Sequence, residues 1–309
     1  MKNSLVDNNS QESSETVMEQ NDCVNSHSLD IESTFPRITA KWLRNHCRKH
    51  GLYQTPQLNE VLYLQHQGFK FIELLEDYVG LKSLWLDHNC ITKITGLHNM
   101  KNLKCLFIRN NFLTDLRGIE CLEQLVILDV SNNLLTDTNA LEVLPNLTTL
   151  YVGSNKLSDT SGIDSLARCK TLSTLDLSRN MLKDSQTMLK LLIRIRQLSV
   201  LYLHGNPLVR NFESYRAEIT THCINLKFLD DKPIRENDRF CAKAWMKTGM
   251  QGMKEEKIRQ KDVEDLEMHV YVMGKFKHED YSEKKLLSSA VSSSQKEIDI
   301  NEIIFLNLA

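Results

Sequence analysis

Residues 81–92 read LKSLWLDHNCIT, and similar segments follow at 103–114 (LKCLFIRNNFLT), 125–136 (LVILDVSNNLLT) and 147–158 (LTTLYVGSNKLS). Each segment has the pattern L-x-x-L-x-L-x-x-N-x-L, with valine or isoleucine in place of some leucines. The asparagines of these segments are 22 residues apart three times in succession. Apolar residues that recur at such a fixed period indicate a solenoid, because a single unit cannot bury its apolar face without neighbours.

The pattern extends beyond these four segments in both directions. It continues to Asn180 and Asn206 with steps of 25 and 26 residues, and a degenerate unit with Gln67 at the asparagine position precedes the series, which makes seven repeats. The leucine–x–leucine alternation predicts a short strand in each unit with both leucines pointing inward. The asparagine amide is expected to bind backbone groups where the chain leaves the strand. We therefore predict an α/β fold, a leucine-rich-repeat solenoid with a curved parallel sheet.

Composition divides the chain around these repeats. Ile38, Trp42 and Leu43 lie on one side of a helix predicted for residues 39–50, which would cap the solenoid. Both ends of the chain are rich in Ser, Asn, Glu and Lys, as is typical of disordered segments. We expect a disordered tail at 1–33, a helical N-terminal cap at 34–57, the repeat solenoid with its C-terminal cap at 58–232, a charged helical extension at 233–279 and a mostly disordered tail at 280–309.

The residue between the two strand leucines is expected to face solvent on the concave side of the sheet. In chain order these residues are Tyr63, Trp85, Phe107, Asp129, Tyr151, Asp176 and Tyr202. Exposed aromatic residues are enriched at protein-binding hot spots, so this column is a candidate partner-binding face. The alternative interpretation is that the rings only stack on one another across the strands.

Bulk properties exclude several classes of partner. The 309 residues have a net charge of -2, without the basic excess of nucleic-acid or anionic-membrane binders. Residues 1–20 lack the apolar segment of a signal peptide, and no stretch has the ~18 apolar residues of a membrane span. We expect a cytoplasmic protein, monomeric, with no nucleic-acid or membrane partner.

The sequence offers no catalytic or metal-binding constellation. His46 and His50 have the i,i+4 spacing of a metal-binding pair, but no second cluster of ligands accompanies them. Nucleophile-elbow, P-loop and H-E-x-x-H motifs are absent from the 309 residues. We therefore predict no enzymatic activity, no metal and no cofactor.

Segments at both ends of the repeats resemble a known family. At the entry these are residues 52–59 (LYQTPQLN), 62–64 (LYL), 68–69 (GF) and 81–86 with its central Trp85. At the exit they are residues 229–233 (LDDKP), 238–239 (DR) and 241–245 (CAKAW). Over about residues 38–260 the chain resembles the leucine-rich-repeat axonemal dynein assembly factors, the dynein axonemal assembly factor 1 family. The 22-residue unit itself resembles the phosphatase-regulator class of leucine-rich repeat.

The resemblance implies a non-enzymatic scaffold for the cytoplasmic preassembly of axonemal dynein arms, needed for cilium structure and motility. Its partners would be proteins: dynein arm subunits, chaperones or other assembly factors. Two alternatives remain. One is a regulatory subunit that docks a phosphatase on the concave face, and the other is a structural axonemal component resembling a dynein light chain.

Overall fold

The computed structural model describes residues 34–288. Within them, nine strands form a sheet in which the strands lie in the order of the sequence. The first eight strands run parallel, and the ninth pairs antiparallel with the eighth. The strands are β1 (Val61–Tyr63), β2 (Ser83–Trp85), β3 (Cys105–Phe107), β4 (Ile127–Asp129), β5 (Thr149–Tyr151), β6 (Thr174–Asp176), β7 (Val200–Tyr202), β8 (Phe228–Leu229) and β9 (Lys232–Pro233).

The core runs along the whole solenoid. The middle residue of each of the first seven strands is a fully buried leucine, and these leucines lie in register from Leu62 to Leu201. The residue after each strand, such as Leu86 or Ile108, is buried as well. Both apolar residues of the alternation thus point inward, and each coil packs on its neighbours. The predicted leucine-rich-repeat solenoid is confirmed.

Helices occupy the return segments and the ends. The α-helices are α1 (Ala40–Lys49), α2 (Ser185–Arg194), α3 (Tyr215–His222) and α4 (Glu236–Ser288), and the 3₁₀ helices are η1 (Pro56–Leu58), η2 (Asn139–Val143), η3 (Ser161–Arg168) and η4 (Pro207–Asn211). Helix α2 lies in the longest repeat, where four extra residues leave room for a true helix. Asp184 caps it by accepting a hydrogen bond from the Thr187 N–H (3.0 Å), and Met188, Leu191 and Leu192 face the core.

The repeat asparagines join successive coils. Oδ1 of Asn111 accepts a hydrogen bond from the N–H of Ile91 in the preceding coil (2.9 Å). Its Nδ2 donates to the carbonyl of Leu86 in that coil (3.0 Å) and of Ile108 in its own (3.1 Å). The Leu86 carbonyl also accepts from Asn89, so one oxygen serves two successive asparagines. The same contacts recur at Asn133, Asn155, Asn180 and Asn206. The asparagine amides therefore join neighbouring coils by hydrogen bonds, and they also stabilise the bend that follows each strand.

Both ends of the solenoid are closed. At the N-terminal end, α1 buries Leu43 and Cys47 against the first coil. At the other end, β8 and β9 form a hairpin whose two turn residues, Asp230 and Asp231, both have positive φ (48° and 63°), as a type I′ turn requires. Pro233 on the outer strand has no N–H to offer to a further strand. The sheet therefore ends at β9.

Helix α4 is a hairpin of two arms. Thr248 and Gly249 leave the helical conformation, and Gly249 has a φ of 67°. Asn237 donates to Glu264, which lies 27 residues further along the chain. Residues 250–264 at the start of the second arm therefore fold back along the arm of residues 236–247. Arg239 fastens the first arm to the C-terminal cap by donating to the carbonyl of Thr220 (3.0 Å).

The limits of this helix differ from those predicted. The helical extension was placed at residues 233–279, but α4 begins at Glu236 and ends at Ser288, nine residues later than predicted. Residues 280–288 (DYSEKKLLS) contain neither proline nor glycine, so the helix has no local reason to end at 279. The remainder of the two predicted tails, residues 1–33 and 289–309, lies outside the described residues.

Candidate protein-binding face

The solvent-facing side of the sheet, here called the concave face, carries the predicted column. All its members occupy the last position of strands β1 to β7, and the pairing register places each beside the next: Tyr63, Trp85, Phe107, Asp129, Tyr151, Asp176 and Tyr202. With strands ~4.8 Å apart, the column is roughly 30 Å long. The structure therefore brings together every residue that the sequence assigned to this face.

The N-terminal half of the column is aromatic and partly stacked. The rings of Trp85 and Phe107 are stacked with centroids 3.9 Å apart, and Tyr63 lies 6.3 Å from Trp85. Tyr63 is 39% exposed, whereas Trp85 and Phe107 are half-buried. Stacking accounts for part of the burial of these rings, and it leaves a continuous apolar surface open to solvent.

Polar groups border these rings. Asp87 is buried, and its carboxylate accepts a hydrogen bond from the backbone N–H of Arg109 (2.9 Å). The Arg109 guanidinium lies 3.7 Å from the same carboxylate. Burial nevertheless raises the pKa of Asp87 above its ordinary value. On the turn beyond the strands, the rings of His66 and His88 are stacked 4.3 Å apart.

The C-terminal half of the column is acidic. Asp129 and Asp176 each accept a hydrogen bond from the backbone N–H two residues further on, at 3.0 Å and 2.8 Å. These bonds hold each carboxylate on the strand end, beside a tyrosine of the neighbouring strand. Burial raises the pKa of Tyr202, and the nearby carboxylates of Asp231 and Asp176 raise it further. The phenol therefore lies in a negative electrostatic field.

Two residues of this face were missed by the sequence analysis. Phe228 on β8 is 44% exposed and continues the sheet surface beyond β7. Asp231 in the adjoining turn is exposed near Tyr202. The sequence feature that could have revealed them is the stretch from Leu226 to Leu229, which repeats the L-x-x-L half of the pattern without an asparagine.

Other kinds of site are not found among residues 34–288. No group of three or more His, Cys, Asp or Glu side chains in that range is arranged to hold a metal ion. His46 instead stacks on Trp42 with ring centroids 4.6 Å apart, and its Nε2 contacts the Tyr63 carbonyl. None of the described helices combines the length and hydropathy of a membrane-spanning segment.

Comparison with known proteins identifies the repeats and their relatives. A family model described as leucine rich repeats (2 copies) matches residues 79–121, 101–143 and 123–168. Dynein axonemal assembly factor 1 of Peromyscus californicus is 58% identical over 230 residues, which are 74% of this chain and 37% of that protein. The homolog from Drosophila erecta is 52% identical over 230 residues, 74% of this chain and 15% of that protein. The Aedes aegypti homolog is 48% identical over 275 residues, 87% of this chain and 25% of that protein.

A solved internalin from Listeria monocytogenes aligns with a TM-score of 0.49 and 28% identity, covering 59% of this chain and 49% of that one. The chain spans only 15 to 37% of the length of the curated relatives named above. Within that shared part, the identity of 48 to 58% extends over most of this chain. Over the aligned residues, this chain therefore belongs to the dynein axonemal assembly factor 1 family of leucine-rich-repeat proteins.

Proposed function

We propose that this protein is a non-enzymatic scaffold that binds other proteins during the cytoplasmic preassembly of axonemal dynein arms, and thereby supports the structure and motility of cilia. Its partners on this proposal are dynein arm subunits, chaperones or other assembly factors. The names of its relatives support the process, and the leucine-rich repeats support a role in protein binding. On this proposal the protein acts as a monomer, and the hairpin at β9 disfavours the addition of a second sheet at that edge.

The observation that carries the proposal is the aromatic half of the concave face. Tyr63, Trp85 and Phe107 form a contiguous surface at the ends of three adjacent strands, and each of the three is partly exposed to solvent. A half-buried tryptophan beside two further rings is typical of the anchor of a protein interface, because a partner group placed there becomes fully desolvated. Trp85 lies at the centre of the three and is the expected anchor.

The test is co-purification from ciliated cells with the full chain and three variants. Trp85→Ala and Tyr151→Ala remove rings from the column, and Phe112→Ala removes an aromatic ring that is 51% exposed outside the strands. We expect Trp85→Ala and Tyr151→Ala to reduce the recovery of dynein heavy chains and chaperones at least ~30-fold per folded molecule, as loss of an interface anchor does. Phe112→Ala should leave recovery unchanged.

The proteins recovered also separate the alternatives. Recovery of a phosphatase catalytic subunit that depends on Trp85 would replace the scaffold by a phosphatase-regulatory subunit. Recovery of tubulin would indicate a structural axonemal component resembling a dynein light chain. Unchanged recovery of dynein subunits with both column variants would place their binding elsewhere and overturn the proposal.

A further inference from the structure

The C-terminal half of the concave face has a regular chemistry of its own. From β4 onward, aspartate and tyrosine alternate from strand to strand: Asp129, Tyr151, Asp176 and Tyr202, followed by Asp231 in the turn after β8. We call these five residues the Asp–Tyr ladder. Every carboxylate is thus next to a phenol ring, and every ring lies between two carboxylates.

The carboxylates of the ladder have no cationic partner in the described structure. Within residues 34–288, no Lys, Arg or His nitrogen lies within 4.0 Å of the carboxylates of Asp129, Asp176 or Asp231. Asp87 and Asp230 on the same face differ, since Arg109 lies 3.7 Å from the first and His204 3.4 Å from the second. The chain therefore pairs Asp87 with a guanidinium and leaves the carboxylates of the ladder without one.

The one hydrogen bond that each strand aspartate makes leaves it able to bind a ligand. Oδ1 of Asp129 accepts from the Ser131 N–H, and Oδ1 of Asp176 accepts from the Ser178 N–H. The side chains are consequently held in one orientation by local backbone, and a second carboxylate oxygen is available at each position. A ligand that pairs with them does not have to order the side chains first.

We propose that the Asp–Tyr ladder binds an arginine-containing basic segment of a partner protein, with one arginine at Asp129 and another at Asp176. This inference rests on the proposed function, because it names the chemistry of the partner at the same concave face. A guanidinium fits better than an ammonium group, since it can pair with a carboxylate through two N–H groups and stack its plane on the neighbouring tyrosine. A negative face of this kind repels the phosphates of nucleic acids.

The spacing of the ladder predicts the spacing in the partner. Asp129 and Asp176 lie on β4 and β6, two strands apart, which is about 10 Å at the ordinary strand separation. A peptide in the polyproline II conformation advances about 9 Å in three residues, and residues i and i+3 lie on the same side of it. Arginines at positions i and i+3 of a segment that crosses the strands would therefore meet both carboxylates.

The test uses labelled synthetic peptides and the full chain. The probe is a twelve-residue peptide of serine and alanine with arginine at every third position, and its analogues carry glutamine or lysine instead. Binding is measured by fluorescence anisotropy at about 0.15 M salt, close to physiological screening. The variant is Asp129→Asn/Asp176→Asn, in which each asparagine retains the oxygen that accepts the local backbone hydrogen bond. The control is Glu123→Gln/Glu213→Gln, which removes the same charge from exposed positions off the sheet.

We expect the arginine peptide to bind wild type at least about tenfold more tightly than the Asp129→Asn/Asp176→Asn variant, and to bind the control variant within about twofold of wild type. The lysine analogue should bind more weakly than the arginine peptide, and the glutamine analogue should not bind. Equal binding of the arginine peptide to wild type and to the double asparagine variant would overturn the inference, as would equal binding of the glutamine analogue. Circular dichroism melting of each variant verifies folding.

These outcomes are separate from those of the co-purification test. If Trp85→Ala releases the dynein subunits while the peptides do not distinguish the aspartate variant, the concave face remains a binding face and only the basic segment is excluded. If the peptides distinguish the variant while Trp85→Ala releases nothing, the ladder binds a basic segment outside dynein arm assembly.

Discussion

Replacement of the repeat asparagines by alanine tests the hydrogen bonds between coils. The loss in the free energy of unfolding should differ from one repeat to another. The side chain of Asn111 is buried, and it is the only partner of the Ile91 N–H among the described residues. The carbonyls of Leu86 and Ile108 would each keep a second asparagine after Asn111→Ala. One buried N–H is therefore orphaned, which destabilises the fold by about 1–3 kcal/mol.

Asn89→Ala should lower the free energy of unfolding more than Asn111→Ala does, because Asn89 alone supplies the asparagine hydrogen bonds of the degenerate first repeat. Its Oδ1 accepts from both the Gln67 N–H (3.1 Å) and the Phe69 N–H (3.0 Å), and its Nδ2 donates to the Leu64 carbonyl (2.8 Å). Gln67 at the asparagine position does not reach these groups and binds the Gln65 carbonyl instead. Two orphaned donors predict a loss of about 2–6 kcal/mol, and we expect Asn89→Ala to exceed Asn111→Ala by at least ~1 kcal/mol.

The assay is urea unfolding monitored by circular dichroism on wild type and the two variants. Asn102→Ala is the matched control, since that exposed asparagine makes a single hydrogen bond to the Val79 carbonyl (3.2 Å) and should change the free energy of unfolding by less than about 0.5 kcal/mol. A loss for Asn111→Ala no larger than that of the control would refute the hydrogen-bonding role. An equal loss for Asn89→Ala and Asn111→Ala would refute the sharing of carbonyls between coils.

Three further outcomes can be measured on purified protein. Trp85→Ala should lower the free energy of unfolding by about 1 kcal/mol through loss of its stacking on Phe107, and a thermal melt equal to wild type would show that the stack contributes nothing. The raised pKa of Asp87 means that the folded state binds its proton more tightly than the unfolded state, so this group makes stability rise as pH falls through the folded-state pKa. Asp87→Asn should abolish that rise without lowering stability at pH 7, as urea titrations at several pH values would reveal. Gly118→Ala places a Cβ 2.1 Å from a backbone oxygen at a φ of 105°. It should therefore destabilise the fold far more than Gly51→Ala, whose Cβ meets no atom within 4 Å. Similar melting temperatures for the two variants would contradict this.

The local sequence pattern was sufficient to predict much of the fold and to predict which residues lie on the concave face. Because side chains alternate across a strand, the positions of Leu84 and Leu86 also determine that Trp85 faces outward. Because the next repeat follows after 22 residues, the same position returns beside it in the next coil as Phe107. The four extra residues before Asn206 leave room for helix α2 within its repeat.

Only the tertiary structure decided how the coils interact. Stacking of Trp85 on Phe107, the sharing of the Leu86 carbonyl and the absence of a cation beside Asp129 among residues 34–288 all depend on neighbouring coils, whose distance and orientation no single repeat encodes. The hairpin in α4 was missed because a glycine in a charged helical stretch is compatible with a straight helix, and the contact between Asn237 and Glu264 joins residues 27 positions apart. Periodicity fixes which side of an element is buried, whereas packing between distant segments decides what that side touches.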